Sequence, residues 1–394
     1  MTIAVAIESR TAEAPARPKI RRLPRVDILS DLSLAEPTWR QLEARQLATP
    51  YQRFDLLAAW QREVGARENA LPFIVTVHDS DGQPLLLLPL TTRNARGVRV
   101  AGFMGGKHAN FNMALWDRDY AREVTAPDLD ALLSQLRAKA AADLLVLRRQ
   151  PRHWQDFLNP LAMLPGQRSV DDCPVLPMVP GDPATNRISK SFRKRLKSKE
   201  RKLQSPGHRY HVARTDADIE RLLDWFFRVK PMRMAEQNLP DVFAAPGVEQ
   251  FLRKACHAAL PGGGRVIDIH ALECDDEVIA IFAGVADGHR FSMMFNTYTM
   301  SARSHYSPGL ILMGYIIDHY GERGYRTLDL GIGSDDYKRQ FCKCDEPIFD
   351  SFIPLTSRGR LAAAATAGLS RAKRLVKSNQ ALFHLARGLR RAMG

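Results

Sequence analysis

Apolar residues recur at helical spacing between Tyr51 and Val64, where Leu56, Leu57, Trp60 and Val64 fall on one face. This spacing predicts an amphipathic helix. From Pro72 to Thr92 the pattern changes to two strand-like runs joined across Asp79 to Gly82, with Asp81-Gly82 supplying a hairpin turn. A further strand is predicted from Val98 to Phe103, ending at Gly105-Gly106. A helix from Asp128 to Ala141 then precedes the apolar run Leu144 to Leu147, and proline-rich loops occupy Pro160 to Pro183. Alternation of this kind predicts a mixed α/β unit.

The second half opens on a helix from Ser189 to Leu203, then a short strand (Tyr210 to Ala213) and a helix from Asp216 to about Val229, ended by Pro231. Another helix, Val248 to Ala259, stops at Pro261-Gly262-Gly263-Gly264. Three strands follow at Val266 to Glu273, Val278 to Val285 and Arg290 to Phe295, with turns at Asp275-Asp276 and Asp287-Gly288. The stretch from Ser307 to Phe341 then reads as a helix begun by Ser-Pro-Gly, a strand from Thr327 to Leu330, and a Gly-rich turn delivering Tyr337 and Lys338. Backbone donors at a helix start can hold a phosphate, and a phenol beyond the next strand can reach a reacting centre. Group transfer from a phosphate-bearing carrier is the chemistry this order suggests.

Composition narrows the picture. A chain of 394 residues, 45% hydrophobic, fits two domains at about 100 to 200 residues each. No stretch approaches the roughly 18 apolar residues needed to span a bilayer, and the first residues lack a basic segment followed by a long apolar one, so a cytoplasmic protein with a loose arm over residues 1–25 is expected. Five cysteines at irregular spacing argue against a disulfide framework, and no metal site is expected. Charge is local. Arg187 to Lys202 carry nine Lys or Arg against the single acid Glu200, and Ser357 to Gly394 carry nine more with no acid, which together exceed the net charge of +14.

The order of Pro84 to Leu90, the basic helix around Ser191, Ser307-Pro308-Gly309, and Gly333 followed by Tyr337-Lys338-Arg339-Gln340-Phe341 resembles the acetyltransferase domain of the bacterial cellulose-biosynthesis CelD type, the BioF2-like group, within the Gcn5-related N-acetyltransferase superfamily. The resemblance covers roughly Thr49 to Pro354. It implies an α/β fold of two tandem acetyltransferase-like units, with mixed sheets flanked by helices. The expected limits are 26–185 and 186–356, followed by a basic amphipathic tail over 357–394. It also implies an acyltransferase using acetyl-CoA or another acyl-CoA, acting on an amine or hydroxyl of a small-molecule or saccharide acceptor from envelope or exopolysaccharide synthesis.

On this resemblance Ser307, Pro308, Gly309 and Leu310 form the carrier-binding helix start, with Ser307 able to cap it. Tyr337 takes the place of the acid that protonates the departing thiolate, since phenol and thiol acidities lie within about 1.5 pH units. Asp335 or Asp336 can orient an amine or accept its proton, Lys338 can neutralise an anionic group of the acceptor, and Arg233 faces the acceptor. His270 reads as a structural residue on a strand face. In the superfamily a Q/R-x-x-G-x-G/A turn grips the pyrophosphate. This chain has Arg303-Ser304-His305-Tyr306-Ser307-Pro308-Gly309 there, so the grip is assembled differently or not at all.

That difference keeps a second reading open: a FemAB-like transferase using aminoacyl-tRNA, bound by the basic helix. Nucleic acid is otherwise disfavoured, because no aromatic platform accompanies the charge. A third reading is a non-catalytic accessory protein on an anionic membrane surface, docked through 371–394, where Leu382, Leu385, Leu389 and Met393 recur at helical spacing among Arg387, Arg390 and Arg391. The same stripe can equally pack on the parent domain.

Overall fold

The two apolar runs around the Asp79–Gly82 turn pair as an antiparallel hairpin, which buries one face of each and satisfies their backbone groups. Around it, a computed structural model describes residues 24–44, 47–179, 188–203, 209–333 and 336–379 as two mixed sheets with helices packed on them. The first half contains β1 (Arg25–Leu29), α1 (Leu32–Ala44), α2 (Phe54–Trp60), β2 (Leu71–His78), β3 (Pro84–Ala95), β4 (Val98–Phe103) and β5 (Leu115–Trp116). It continues with α3 (Arg118–Glu123), α4 (Ala126–Lys139), β6 (Leu144–Pro151), the small hairpin β7 (His153–Trp154) and β8 (Phe157–Leu158), β9 (Gln167–Arg168) and β10 (Cys173–Pro177). β1 and α1 precede every element the hydrophobic pattern predicted.

The second half contains α5 (Lys190–Leu203), β11 (Arg209–Val212), α6 (Asp216–Glu236), α7 (Val248–His257), β12 (Asp268–Cys274), β13 (Glu277–Ala286) and β14 (Arg290–Tyr298). After these come α8 (Pro308–Glu322), β15 (Thr327–Asp329), α9 (Asp336–Phe341), β16 (Cys344–Glu346), β17 (Ile348–Pro354) and α10 (Ser357–Ser378). The first sheet has the order β1-β2-β3-β4-β6-β17-β9, with β5 on β3, and the second the order β11-β12-β13-β14-β15-β10-β16. The fold is therefore mixed α/β with two tandem sheets.

The sheets exchange strands. β10 precedes residue 185 yet lies between β15 and β16 of the second sheet, and β17 precedes residue 356 yet joins β6 in the first. Division of the chain at 185/186 therefore does not coincide with division between sheets. β10 also replaces part of the loop expected over Pro160 to Pro183. Its prolines, Pro174 and Pro177, obscure the strand signal because proline has no N–H to give to a ladder.

α6 differs from expectation as well. It runs through Pro231 to Glu236, which places Arg233 in its last turn rather than beyond its end. Proline removes one intrahelical bond, and the residues on either side of it are held by tertiary contacts: Lys230 Nζ donates to Asn296 O at 3.0 Å and the Arg233 guanidinium lies 3.5 Å from the centre of the Tyr298 ring. Tyr337, expected in a turn, lies in the short helix α9.

One apolar core runs through both halves, from Trp39, Trp60 and Trp116 to Phe226, Phe251 and Phe295, while a second lies under α5 and α8. The seam is also tied by buried polar groups. Arg290 Nε donates to Asp329 Oδ2 at 2.7 Å and its NH1 to Glu346 Oε2 at 2.9 Å, and its guanidinium stacks on Phe111 and Trp154 of the first half. Ser292 Oγ donates to Asp329 Oδ1 at 2.8 Å and lies 2.9 Å from the Tyr51 hydroxyl, which accepts from Asn110 Nδ2 at 2.8 Å.

All five cysteines are free, and Cys173, Cys256, Cys274 and Cys342 are buried. No described helix is long and apolar enough to cross a membrane. α10 packs on β17, with Arg374 NH2 3.1 Å from Asp172 and Lys377 paired to Asp171. These two cations of the predicted tail thus face the parent domain. Leu382, Leu385, Leu389 and Met393 lie outside the described residues.

Asp329→Asn keeps the shape at this position and removes the charge that balances buried Arg290. Loss of one partner of a buried pair costs about 3–5 kcal/mol. Urea unfolding should register that loss, and a change below about 1 kcal/mol would show that the seam does not depend on the pair.

Candidate active site

β14 and β15 are parallel and pair only from Arg290 with Thr327 to Ser292 with Asp329. Beyond that point β14 runs on to Tyr298, whereas the chain after β15 turns away at Gly331. The register of β14 on β13 also shifts between Ala283 and Gly284, so Met294 is an extra residue and the strand bends there. The two parallel strands consequently part, and the opening is flanked by the last turns of α6 and the start of α8. It holds a cavity of about 540 Å³.

Five of the residues singled out in the sequence line this one cavity: Arg233, Ser307, Gly309, Leu310 and Tyr337. Pro308 is buried in the first turn of α8 beside them. The positioning has local causes. Asp329 Oδ1 accepts the Gly331 N–H at 2.9 Å, and Gly331 adopts φ +77°, where an added Cβ would come 3.0 Å from Asn110 Nδ2 and 3.2 Å from Met293 O. Only glycine turns the chain there toward α9 and Tyr337. At Gly309 a Cβ would sit 3.7 Å from both Phe282 and Tyr298, so the bare backbone widens the cavity floor.

Three residues stand differently from expectation. Lys338 is buried, and its Nζ donates to Ile332 O at 2.8 Å, so it braces the glycine turn and is not among the lining side chains. Asp335 lies outside the described residues, whereas Asp336 begins α9 and is exposed. Ser307 does not cap α8 with its side chain: it sits at φ 57°, ψ 54°, and its Oγ accepts from Lys199 Nζ at 2.6 Å. A cation from α5 thus stands at the first turn of α8, where the amide of Gly309 has no intrahelical acceptor by position.

Arg303, the basic residue of the loop before α8, is drawn the other way. It pairs with Glu277 at 2.5 Å and with Asp275 at 2.7 Å. Positive charge at the cavity comes instead from Lys199, Lys230 and Arg233. Among the described residues, no carboxylate lines it. Arg233 bonds the Tyr298 hydroxyl and lies 3.7 Å from Glu236 on its own helix. Burial, and then the neighbouring Arg233, lowers the Lys230 pKa.

Lys199, Lys230 and Tyr298 are the functional candidates that sequence reading missed. The i, i+3 spacing of Lys230 and Arg233 on one helix was a usable signal, but Pro231 masked it. His270 is buried, with Nδ1 2.9 Å from the Tyr210 hydroxyl and Nε2 3.0 Å from that of Tyr320, on the α8 side of the sheet. Burial holds its pKa well below the usual histidine value. His211, Asp218 and Glu273 bring ligand atoms within 4.8 Å of one another, but Arg209 and Arg221 already pair with the two carboxylates.

Residues 190–339, which supply α5, the α8 start and most of α9, match the family model described as the acetyltransferase (GNAT) domain. The second half has the GNAT acyltransferase fold. Among solved structures, the chain is similar to FemX at 10% identity, covering 84% of this chain and 97% of that one with a TM-score of 0.55. It is also similar to the C-terminal domain of a putative lysylphosphatidylglycerol synthetase from Agrobacterium fabrum, at 11% identity over 87% and 97% with a TM-score of 0.53. A third is a protein of unknown function from Bacteroides thetaiotaomicron, at 11% identity over 84% and 100% with a TM-score of 0.50. At such identities the likeness is one of fold. No curated protein sequence matches the chain.

Lys199→Ala removes one charge from the α8 start while leaving the helix in place. A charge-assisted hydrogen bond contributes about 1.5–3 kcal/mol. If the α8 start receives the phosphates of coenzyme A, calorimetric affinity for that carrier should fall by about tenfold or more at low salt, and an unchanged affinity would show that Lys199 makes no such contact.

Proposed function

We propose that the protein is an acyltransferase that takes its acyl group from an acyl-CoA, with acetyl-CoA as the first choice, and passes it to an amine or hydroxyl. The observation that carries this reading is the convergence on one cavity of the α8 start and the Tyr337 phenol, which the sequence places 28 to 30 residues apart. The residues present fit a phosphate-bearing donor. Lys199 and the first amides of α8 are arranged to meet its phosphates, and the apolar sides of Phe282 and Leu310 to accept its less polar arm.

Acyl-CoA supplies a thioester carbonyl whose C–S bond breaks as the new C–N or C–O bond forms. Tyr337 donates its proton to the departing sulfur, the acceptor releases its proton to solvent, from which Tyr337 is reprotonated, and the chain otherwise works by holding the two reactants together. Arg233, fixed over Tyr298, faces the side on which an acceptor enters. The acceptor class, an envelope or exopolysaccharide intermediate, is what the sequence resemblance implies. Tyr337→Phe is expected to lower kcat by about 10²- to 10⁴-fold, the usual contribution of a positioned acid, with coenzyme A affinity unchanged. Unaltered turnover takes Tyr337 out of the mechanism.

A second reading has its own support. Lys194, Arg195, Lys197, Arg201 and Lys202 of α5 are exposed beside the α8 start, and Arg303 is withdrawn from the loop that would grip a pyrophosphate. These features suit a carrier larger than coenzyme A, such as an aminoacyl-tRNA. Titration of the protein with acetyl-CoA and, separately, with bulk tRNA separates the two. Binding of tRNA that disappears on neutralising Lys194, Arg195 and Lys197, together with no heat from acetyl-CoA, favours the second.

A further inference from the structure

The first sheet has a cavity of its own, about 570 Å³, that the transfer step does not use. β4 and β6 are parallel and pair only over Val100–Gly102 and Leu144–Val146. The sheet opens beyond Gly102 much as the second opens beyond Ser292. Thr91, Val100, Gly102 and Val146 form the floor, and the turn Gly106–His108 forms a wall.

The charges in this cavity do not balance. Its three acids are already engaged: Glu68 by Arg93, Asp171 by Lys377, and Asp350 by the Ser169 hydroxyl and the Arg149 amide. Lys107, Arg148 and Arg149 have no carboxylate within ion-pair distance among the described residues. Arg149 is also held at φ 58°, a left-handed conformation that costs a residue with a side chain. Its guanidinium is largely withdrawn from water, with NH1 donating to Ala109 O at 3.0 Å, and burial lowers its pKa. The nearest acids, Asp171 and Asp350, act on it only from beyond ion-pair distance, and a desolvated cation without a direct partner calls for an anion.

Two neutral groups at the same cavity lack partners. Buried Asn112 gives an amide N–H to Arg148 O at 3.1 Å, but its Oδ1 has no donor. Trp60 Nε1 donates to His108 Nδ1 at 3.1 Å, so in the neutral ring the proton sits on Nε2, and that Nε2 has no acceptor. Burial, with Lys107 alongside, keeps the His108 pKa down at about 4, so the ring is neutral near pH 7. One donor and one acceptor therefore wait beside the cations, an arrangement that buried polar groups rarely keep without a ligand or water.

We propose that this cavity binds the anionic end of the acyl acceptor, a carboxylate or phosphate ester flanked by hydrogen-bonding substituents. Arg149, Arg148 and Lys107 meet the charge, and side-chain rotation brings His108 Nε2 and Asn112 Oδ1, both shielded here, to the ligand as donor and acceptor. Neighbouring residues connect the two cavities. A narrower cavity of about 240 Å³ shares Lys107 and His108 and extends to Phe243, Met294 and Phe295. Lys230, which lines the transfer cavity, lies over the Phe243 ring at 5.6 Å, and Asn296 follows Phe295 into the same lining. An elongated acceptor lying along this groove spans both halves. Its assignment as the acceptor rests on the transfer reading of the second-half cavity, whereas the anion site does not.

The test is calorimetric titration with glucose 6-phosphate, glucuronate and, as the uncharged control, glucose. Wild-type protein should bind at least one charged sugar and not glucose, and the stronger of the two identifies phosphate or carboxylate as the recognised group. Arg149→Gln should weaken that binding at least tenfold with coenzyme A affinity intact. Because Arg149 is strained and partly buried, the exposed Arg148→Ala and Lys107→Ala provide a second arm that folding does not endanger, with a combined tenfold loss expected. Absence of binding by either charged sugar, or equal affinity in the folded variants, overturns the proposal. Charged-sugar binding that responds to these substitutions in a protein that ignores coenzyme A keeps the anion site and removes its role as acceptor site.

Discussion

Asp329 is a carboxylate without solvent at the centre of the molecule, and the architecture is arranged around its needs. It accepts from Arg290, from Ser292 and from the Gly331 amide, and through Ser292 it reaches Tyr51 and Asn110 of the first half. A charge so placed is tolerated only when its lone pairs are filled and a counter-charge is near. Each partner sits on a different element, so satisfying one group fixes several: β14 against β15, the glycine turn after β15, and the loop of the first half that packs beneath it. Tyr337 hangs from that turn. The position of a surface phenol thus follows from a buried ion pair some residues earlier.

Strand exchange adds a second constraint. With β10 in the second sheet and β17 in the first, each sheet is completed by chain from the other half, and the larger apolar core passes through both. Sliding one half past the other would break ladder bonds on both sides at once. Grooves along such a seam keep their shape, which suits a reaction whose main requirement is that two reactants be held in register.

The distribution of cations follows a simple electrostatic logic. In the loop before α8 the arginine is tied to Asp275 and Glu277, on the turn and strand it borders, and so cannot face the cavity. Its place is taken by Lys199 from α5, a helix that crosses the α8 start and carries excess charge on its outer side. A phosphate site needs positive charge at a helix N-terminus and is indifferent to which segment supplies it. In the first half, by contrast, the acids in the lining are engaged by other groups, which leaves Arg149 without a direct ion pair.

Sequence by itself determined the local elements and the motif that matters most. Hydrophobic period and turn residues located the β2–β3 hairpin, the three strands β12 to β14, the helix behind Ser-Pro-Gly and the short strand before the glycine turn, because these signals act between residues a few positions apart. Among the cavity residues, Ser307, Gly309 and Tyr337 were marked by the Ser-Pro-Gly helix start and the Gly-rich turn, whereas Arg233 and Leu310 were singled out only through the family resemblance. What only tertiary structure decided was pairing across distance. β10 entering the second sheet, Lys199 replacing Arg303, Lys338 turning inward to the carbonyls of Gly331 and Ile332, and α6 continuing past Pro231 all depend on neighbours 60 or more residues away or on burial. Periodicity records which face of an element is apolar; it does not record which distant group will satisfy a charge or a lost backbone bond.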